Sequence, residues 1–133
     1  MQIKPYDVQV RFSDIDMLGH VNNVAYFSYF EMARIHYFYP ILGPSWDWMT
    51  QGVVLVKNEV EYIQPLYLHD QPEIKLFLKH IGNKSFTLAY QLFVKDKLCT
   101  TGSSTLVGFN SKTQQTIEIP ERMKAALSQL EQI

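Results

Sequence analysis

The stretch DIDMLGHVNN, residues 14–23, places two carboxylates, a glycine, a histidine and two asparagines directly before an aromatic segment. Either Asn22 or Asn23 can cap a helix that begins there. The free N–H groups and the positive end of a helix N-terminus stabilise negative charge, so they can hold a carbonyl oxygen that is becoming an oxyanion. Asp16, a few residues upstream, can attack that carbonyl or deprotonate a water molecule beside it. Together these groups suit the transfer of an acyl group to water.

The same stretch also fits a purely structural interpretation. Asp-x-Asp followed by Gly and Asn is common in turns, where the side chains bond to their own backbone, and Asn is a favoured helix cap. Asp14 can serve only to hold the loop, and His20 can be an ordinary loop histidine. In a catalytic loop, Gly19 would let the backbone approach the substrate closely. The local pattern by itself leaves both interpretations open.

Other catalytic chemistries lack their usual residues in this chain. No Gly-x-Ser-x-Gly sequence is present, the six glycines form no phosphate-binding loop, and no Cys or His spacing is typical of zinc. The single cysteine, Cys99, lies in a predicted strand without an evident base, which favours a core or interface residue over a nucleophile. We therefore expect no metal and no separate cofactor.

Length and composition indicate one soluble domain. The 133 residues, 47% of them hydrophobic, supply enough apolar material for one packed core over residues 1–133. Twelve basic and thirteen acidic residues give a net charge of -1 without a block of like charge, so we expect no nucleic-acid partner. No run approaches the roughly 20 apolar residues of a membrane span. The single cysteine and an N-terminus without signal-peptide features predict a cytoplasmic protein.

Hydrophobic patterning predicts an antiparallel sheet whose turns are marked by polar residues and glycine. Gly82-Asn83 is expected to supply positive φ for a tight hairpin, and residues 95–97 form a second turn. Alternation places His80 on the apolar face of its strand, and Gly102 marks a possible β-bulge. The predicted strands cover residues 6–12, 52–65, 73–81, 85–94 and 98–109.

The one long helix before the C-terminal region begins near Asn22 or Asn23 and ends at about Tyr39, because Pro40 disfavours its continuation. Its apolar residues spread around most of the circumference, so we expect the helix to be enclosed. A sheet wrapped around it covers one side only. The remaining apolar surface must therefore meet loops, the short closing helix that starts at Pro120, or another subunit, and we expect a dimer or larger homo-oligomer.

Residues 11–34, RFSDIDMLGHVNNVAYFSYFEMAR, resemble the hot-dog-fold acyl-CoA thioesterases. The similarity is to the branch of 4-hydroxybenzoyl-CoA thioesterase and the bacterial acyl-CoA thioesterases that carry Gly-His-Val-Asn-Asn. It continues through VEYIQPLYLHDQPEI, IGNKSFTLAYQL and TTGSSTLVGFNSKTQQTIEIP, and so covers nearly the whole chain. The resemblance implies an α+β hot-dog fold, in which a five-stranded antiparallel sheet wraps around a long central helix and a short C-terminal helix follows. It also implies dimers, often paired into tetramers, with acyl-CoA entering a tunnel at the dimer interface.

The resemblance assigns roles to single residues of the loop. Asp16 matches the family's catalytic carboxylate, as nucleophile or as general base, whereas Asp14 does not match it. Asn23 matches the backbone N–H donor at the start of the helix, and His20 matches the histidine that orients the acid, the water or the thioester. We place Gly19 and Val21 with the residues that bind the oxyanion or the substrate. Relatives with Tyr-His-Ala-Asn carry a histidine where this chain has Asn23, so their mechanism does not transfer unchanged.

An apolar, aromatic pocket is required to hold the acyl group, whether fatty or aryl, and CoA enters as part of the substrate. Candidate pocket residues are Tyr26, Phe30, Glu31, Trp46 and Trp48. Candidate CoA contacts are Lys84 and Ser85. Core packing is the alternative for each aromatic residue, pairing with Arg34 is the alternative for Glu31, and solvation is the alternative for Lys84. The resulting hypothesis is an acyl-CoA thioesterase; an acyl-carrier-protein thioesterase and a non-catalytic acyl-binding module are the alternatives.

Overall fold

The fold was determined from a computed structural model, which describes residues 2–133. Over these residues one antiparallel sheet has the strand order β1-β3-β4-β5-β2, and β6 extends it by pairing with β5. The long helix α1 follows β1 in the chain and lies against one face of this sheet. The strands are β1 (Tyr6–Asp7), β2 (Gly52–Tyr62), β3 (Pro72–Ile81), β4 (Ser85–Val94), β5 (Lys97–Asn110) and β6 (Gln115–Thr116), and the helices are α1 (Ala25–Leu42) and α2 (Glu121–Leu127).

Close packing between α1 and the sheet forms the core. The Phe30 ring is fully buried and stacks on the Tyr90 ring at a centroid distance of 4.2 Å. Gly102 makes this approach possible, since a Cβ there would lie 2.7 Å from the Phe30 ring and 2.8 Å from the Glu59 carbonyl oxygen. The predicted bulge at Gly102 is wrong, because this residue pairs in register on both sides and the β2–β5 register shifts between Leu55 and Lys57 instead. Glycine is required here for space.

The limits of α1 differ from the prediction at both ends. The helix continues through Pro40 to Leu42 and ends at Gly43, which has φ +85° and donates its N–H to the Tyr39 carbonyl at 2.9 Å. Proline is tolerated there because its ring lies in the last turn, where only one helical hydrogen bond is lost. At the start, the N-cap is Val24 without a side-chain cap bond, so the predicted cap at Asn22 or Asn23 is wrong, and the Asn22 side chain instead accepts the Val24 N–H at 2.9 Å in the turn before the helix.

The first predicted strand is much shorter than its alternating pattern. Only Tyr6–Asp7 pair with β3, after which the Val8 N–H bonds to the Pro72 carbonyl at 2.8 Å. Because β3 begins at Pro72, no neighbouring strand remains for the residues that follow. The chain instead forms a 3-10 turn that leaves Phe12 83% exposed, so the predicted strand over residues 6–12 is wrong beyond Asp7.

The β3–β4 hairpin forms as predicted, but with different turn geometry. The register shifts between Leu78 and His80, so His80 is exposed and leaves the apolar face on which it was predicted. Gly82 and Asn83 do not have positive φ, and the loop closes through the Gly82 N–H to the Ser85 carbonyl at 2.7 Å. A three-residue loop connects β3 to β4, so a two-residue turn with positive φ is not needed. The turn at 95–97 is confirmed, with Lys95 at φ 57°.

The C-terminal helix α2 begins after Pro120, as predicted, and closes the end of α1. The Arg122 guanidinium donates to the Leu42 carbonyl at 3.2 Å and lies over the Trp46 ring at 5.3 Å. A cation near the last carbonyls of a helix is favourable, because it offsets the negative end of the helix dipole. No helix of residues 2–133 is both long enough and apolar enough to cross a membrane.

One side of α1 is not covered in this chain. Met32, Ile35 and Tyr39 are 45%, 56% and 62% exposed. Ile35 and Tyr39 line a cavity together with Val53 and Leu55 of β2, which is the last strand of the sheet and has a neighbour on one edge only. The helix is therefore enclosed by the sheet on one face and open on the other.

Candidate active site

The loop that carries Asp16 is closed by its own backbone. Ile15 and Val21 form an antiparallel bridge, and the Asp16 N–H donates to the His20 carbonyl at 2.8 Å. Between them Gly19 has φ +80°, a conformation that side chains with a Cβ rarely adopt, and its N–H bonds to the Asp16 carbonyl at 3.1 Å. The sequence folds in this way because glycine permits the reversal that brings residue 20 back beside residue 16.

The Asp16 carboxylate is half-buried and held on one oxygen. Its Oδ1 accepts the Leu18 N–H at 2.9 Å and the His20 N–H at 3.2 Å. Within residues 2–133 no donor bonds to Oδ2, so this oxygen can contact a water molecule or a substrate carbonyl. The structural and the catalytic interpretations of this loop are thus compatible, because the turn that binds Oδ1 also fixes the orientation of Oδ2.

Asp14 has a different environment and a structural function. It is 6% exposed, and its Oδ2 accepts the Tyr29 hydroxyl at 2.7 Å and the Arg11 N–H at 3.0 Å. Burial by itself would raise the pKa of Asp14, but the hydrogen bonds from the Arg11 N–H, the Tyr29 hydroxyl and the Arg11 guanidinium together hold the pKa below its ordinary value. Burial and the neighbouring Asp14 carboxylate raise the pKa of Tyr29. Asp14 therefore anchors the loop to α1.

His20 and Val21 attach the loop to the segment before β3. The His20 ring is half-buried and meets the Tyr67 ring edge-on at 5.2 Å. The Val21 N–H donates to the Leu66 carbonyl at 2.8 Å, and its side chain is 2% exposed. Because this N–H is already bonded, Val21 cannot provide the oxyanion donor for which it was a candidate. Its position makes it an anchor of the loop.

The start of α1 provides a free backbone donor at the residue that the sequence indicated. The Ala25 N–H bonds to the Asn22 carbonyl at 2.9 Å, whereas the Asn23 N–H has no acceptor in the described part of the chain. The Asn23 carbonyl accepts the Tyr62 hydroxyl at 2.8 Å. A backbone N–H without an acceptor beside a helix N-terminus is suited to bind a developing oxyanion.

Three of the five candidate pocket residues belong to the core. Tyr26 and Phe30 are 2% and 0% exposed, and Trp46 donates its indole N–H to the Gln51 carbonyl at 2.8 Å. Glu31 and Trp48 instead line a cavity of about 480 Å³ between α1 and the first half of β2. Most of the other lining residues are apolar, among them Ile35, Phe38, Val53, Leu55 and Leu106.

A buried arginine, which the sequence interpretation considered only as a partner of Glu31, also lines this cavity. Arg34 is 7% exposed, and its Nη1 donates to the Tyr90 hydroxyl at 3.0 Å and to the Ser104 hydroxyl at 3.4 Å. The Tyr90 hydroxyl donates in turn to Ser104 at 2.8 Å. Glu31 is 3.9 Å from Arg34 and its side chain is 67% exposed, so this ion pair is weak. Arg34 is thus held mainly by the sheet.

Lys84 and Ser85 lie far from Asp16 in the same chain. They follow the C-terminal end of β3, whereas the Asp16 loop contacts residues that precede its N-terminal end. Ten residues of β3 span about 30 Å at roughly 3.3 Å per residue. Lys84 is exposed and its carbonyl accepts the Gly108 N–H at 2.9 Å. One chain therefore does not bring the candidate CoA contacts to the candidate carboxylate.

Among residues 2–133, no group of three or more His, Cys, Asp or Glu side chains is arranged to hold a metal ion.

Comparison with known proteins identifies relatives over most of the chain. The family model described as the thioesterase-like superfamily matches residues 10–127. The uncharacterized protein YsmA of Bacillus subtilis is 31% identical over 121 residues, which are 90% of this chain and 82% of YsmA. The long-chain acyl-CoA thioesterase FadM of Escherichia coli is 26% identical over 128 residues, which are 92% of this chain and 96% of FadM.

A solved structure supports the same relationship. A thioesterase of Thermus thermophilus, complexed with coenzyme A and Zn, superposes with a TM-score of 0.81 at 29% identity and covers 93% of this chain and 96% of its own. The predicted hot-dog thioesterase fold is confirmed by these matches. The narrower branch that includes 4-hydroxybenzoyl-CoA thioesterase stays a prediction.

Proposed function

Because the chain belongs to the thioesterase-like superfamily, we propose that it hydrolyses acyl-CoA thioesters to a free acid and CoA. The observation that carries the proposal is the pairing, in one loop, of a carboxylate oriented by its own backbone with a free N–H at the start of α1. The relatives support the substrate class, since FadM is a long-chain acyl-CoA thioesterase and the Thermus thermophilus protein binds coenzyme A.

Asp16 performs the central step in one of two ways. As nucleophile, its Oδ2 attacks the thioester carbon, the C–S bond breaks to release CoA thiolate, and water then hydrolyses the acyl-aspartyl anhydride. As general base, it takes a proton from a water molecule while the water oxygen attacks the same carbon, after which the C–S bond breaks and CoA leaves as the thiolate, which takes the proton back from Asp16. In both routes negative charge develops on the carbonyl oxygen, where the Asn23 N–H and the α1 dipole stabilise it. His20, bonded through its backbone to Asp16, positions the carboxylate.

The acyl group is proposed to occupy the 480 Å³ cavity beside α1. Its lining is mainly apolar, with Glu31 and Arg34 as the polar groups, which is the composition expected of a site for an acyl chain or ring. The cavity extends along α1 from Glu31 to Gly43 and along the first residues of β2, while Asp16 precedes the start of α1. About 30 Å of β2 separates Val53 from Tyr62, so the Val53 end of this cavity is remote from Asp16 of the same chain.

A second copy of the chain removes this separation. Antiparallel pairing of β2 with β2 of a second copy places the Tyr62 end of one strand beside the Gly52 end of the other. Asp16 of one copy then approaches the cavity and the Lys84 loop of the other. The proposed active unit is accordingly a homodimer in which each site uses both chains.

The outer edge of β2 supports this pairing. Lys57 and Glu59 lie two residues apart on that strand and form an exposed ion pair of 2.7 Å. In an antiparallel pair centred on Asn58, Lys57 faces Glu59 of the second copy, and the reverse contact follows from the symmetry. Leu55 and Val56, 43% and 58% exposed, add apolar surface beside these charges.

The test of the activity is thiol release from a panel of fatty and aryl acyl-CoAs, with the wild type and Asp16→Asn. We expect hydrolysis by the wild type and a loss of at least about 100-fold in kcat for the variant. Matched thioesters of acyl carrier protein show whether the CoA portion is required. Equal rates for the wild type and Asp16→Asn on every substrate would remove Asp16 from the mechanism.

A further inference from the structure

Tyr62 is the last residue of β2 and contacts the residues at the start of α1. Its hydroxyl donates to the Asn23 carbonyl at 2.8 Å, and its ring packs edge-on against the Tyr26 ring at 5.0 Å. Tyr26 is 2% exposed and lies in the first turn of the helix, so it provides a fixed surface for the Tyr62 ring. Tyr62 is paired in register with Thr100 across the sheet. The hydroxyl that meets Asn23 is therefore supported by both α1 and the sheet.

The hydrogen bond from Tyr62 fixes the residue that provides the free N–H. The Asn23 N–H shares its peptide plane with the Asn22 carbonyl, which accepts the Ala25 N–H at 2.9 Å. The Asn23 carbonyl and the Val24 N–H belong to the next peptide plane, in which Tyr62 binds the carbonyl and the Asn22 side chain accepts the N–H at 2.9 Å. With both planes fixed, the Asn23 N–H keeps one orientation, and a donor that needs no reorientation stabilises an oxyanion most effectively. Without the Tyr62 hydroxyl, the second plane is held only from within the loop, by the Val24 N–H that donates to the Asn22 side chain.

The Tyr62 hydroxyl keeps its proton at neutral pH and can therefore donate a hydrogen bond. Burial raises the pKa of Tyr62 above its ordinary value, so the phenol keeps its proton at neutral pH. We infer that Tyr62 is a positioning residue that orients the Asn23 N–H toward the thioester carbonyl. This inference rests on the proposed function, because it assigns the Asn23 N–H to the oxyanion.

The test measures the polarisation of a bound thioester directly. Octanoyl-CoA labelled with ¹³C at the thioester carbonyl is bound to Asp16→Asn, which prevents turnover, and the carbonyl stretch is recorded by isotope-edited infrared difference spectroscopy. Tyr62→Phe is then added to the same background, because it removes only the hydroxyl. Tyr6→Phe is the matched control, since Tyr6 lies on β1 against His36 and away from the loop.

We expect the carbonyl band of the Asp16→Asn complex to lie at lower wavenumber than that of free octanoyl-CoA. With Tyr62→Phe the band should return toward the free value, while Tyr6→Phe should leave it in place. In otherwise wild-type protein, Tyr62→Phe should lower kcat about three- to tenfold with little change in KM, the size expected for one neutral hydrogen bond. Thermal unfolding of each variant establishes that it is folded.

The outcomes separate this inference from the proposed function. A lowered carbonyl band that Tyr62→Phe leaves unchanged would overturn the positioning role and leave the oxyanion site standing. If saturating octanoyl-CoA shows no lowered band even in Asp16→Asn, the oxyanion role of Asn23 is wrong and the inference fails with it. A fall in kcat that Tyr6→Phe reproduces would also count against Tyr62, because it would report a general loss of stability.

Discussion

The proposed sharing of the active site between two copies predicts that two different inactive chains restore activity when they are combined in one dimer. If Asp16 of one copy acts on an acyl group in the cavity of the other, two inactive chains can complement each other. One chain carries Asp16→Asn, which removes the carboxylate. The other carries Val53→Trp, which fills the cavity from β2, because Val53 is one of its lining residues. Each homodimer should then fail to hydrolyse long acyl-CoAs.

The expected activity of the heterodimer follows from the two-fold arrangement. One of its two sites combines Asp16 of the Val53→Trp chain with the open cavity of the Asp16→Asn chain, and the other site carries both defects. The purified heterodimer should therefore show about half the kcat of the wild-type dimer per mole of dimer. If each site lay within one chain, both sites would carry a defect and activity would stay at the level of the homodimers.

The assay uses chains with two different affinity tags, co-expressed and purified in two steps, and measures thiol release from octanoyl-CoA and palmitoyl-CoA. Size-exclusion chromatography with light scattering verifies that each preparation is a dimer. A wild-type heterodimer with the same tags sets the reference rate. A dimeric preparation whose rate does not exceed that of the two homodimers would refute the proposed sharing of the site.

Three further predictions concern the loop and the core. Asp14→Asn should lower the free energy of unfolding by about 1–3 kcal/mol through the weakened hydrogen bonds of Tyr29 and Arg11. Because the folded pKa of Asp14 lies below its ordinary value of 3.8, this contribution is complete above that pH and is lost as the pH falls through the folded pKa. In urea unfolding, the difference in free energy of unfolding between the wild type and Asp14→Asn should become smaller as the pH is lowered. A difference that grows in acid would contradict the assignment. Gly19→Ala should cost about 1 kcal/mol at φ +80°, whereas Gly82→Ala, with ordinary φ and no Cβ contact under 3.5 Å, should stay within about 0.5 kcal/mol. Equal denaturation midpoints for these two variants would refute the role of the left-handed conformation. Gly102→Ala should cost about 1–3 kcal/mol, because its Cβ would overlap the Phe30 ring, and an unchanged melting temperature would show that the core can adjust.

Local patterns predicted the elements of this fold but not all of their limits. The strands from 52 to 109 are confirmed because alternation is a property of neighbouring residues. The length of β1 depends on where β3 begins, and the alternation of residues 6–12 carries no information about Pro72. The exposure of His80 likewise depends on a register shift that arises in the paired strand. Pro40 does not end α1, because it lies in the last turn, where few helical hydrogen bonds remain to be lost.

In the candidate site, too, contacts between neighbouring residues were predictable and contacts between distant residues were not. The order Asp16, Gly19, His20, Asn23 lies within eight residues, so its clustering in one loop was predictable. Tyr62 meets Asn23 from 39 residues away, and Arg34 meets Tyr90 from 56 residues away, so neither contact has a signal in the local sequence. Aromatic residues were not separated into core and cavity, because both environments favour the same residue types.

The contact between Arg122 and the Leu42 carbonyl joins residues 80 positions apart. During synthesis, the C-terminal end of α1 therefore cannot contact the Arg122 guanidinium until almost the whole chain has been made. Until then the five strands that follow α1 can assemble around a helix whose final turn is still free to fray. Completion of α2 then stabilises that turn, so cooperative unfolding is expected to begin with the release of α2 from it.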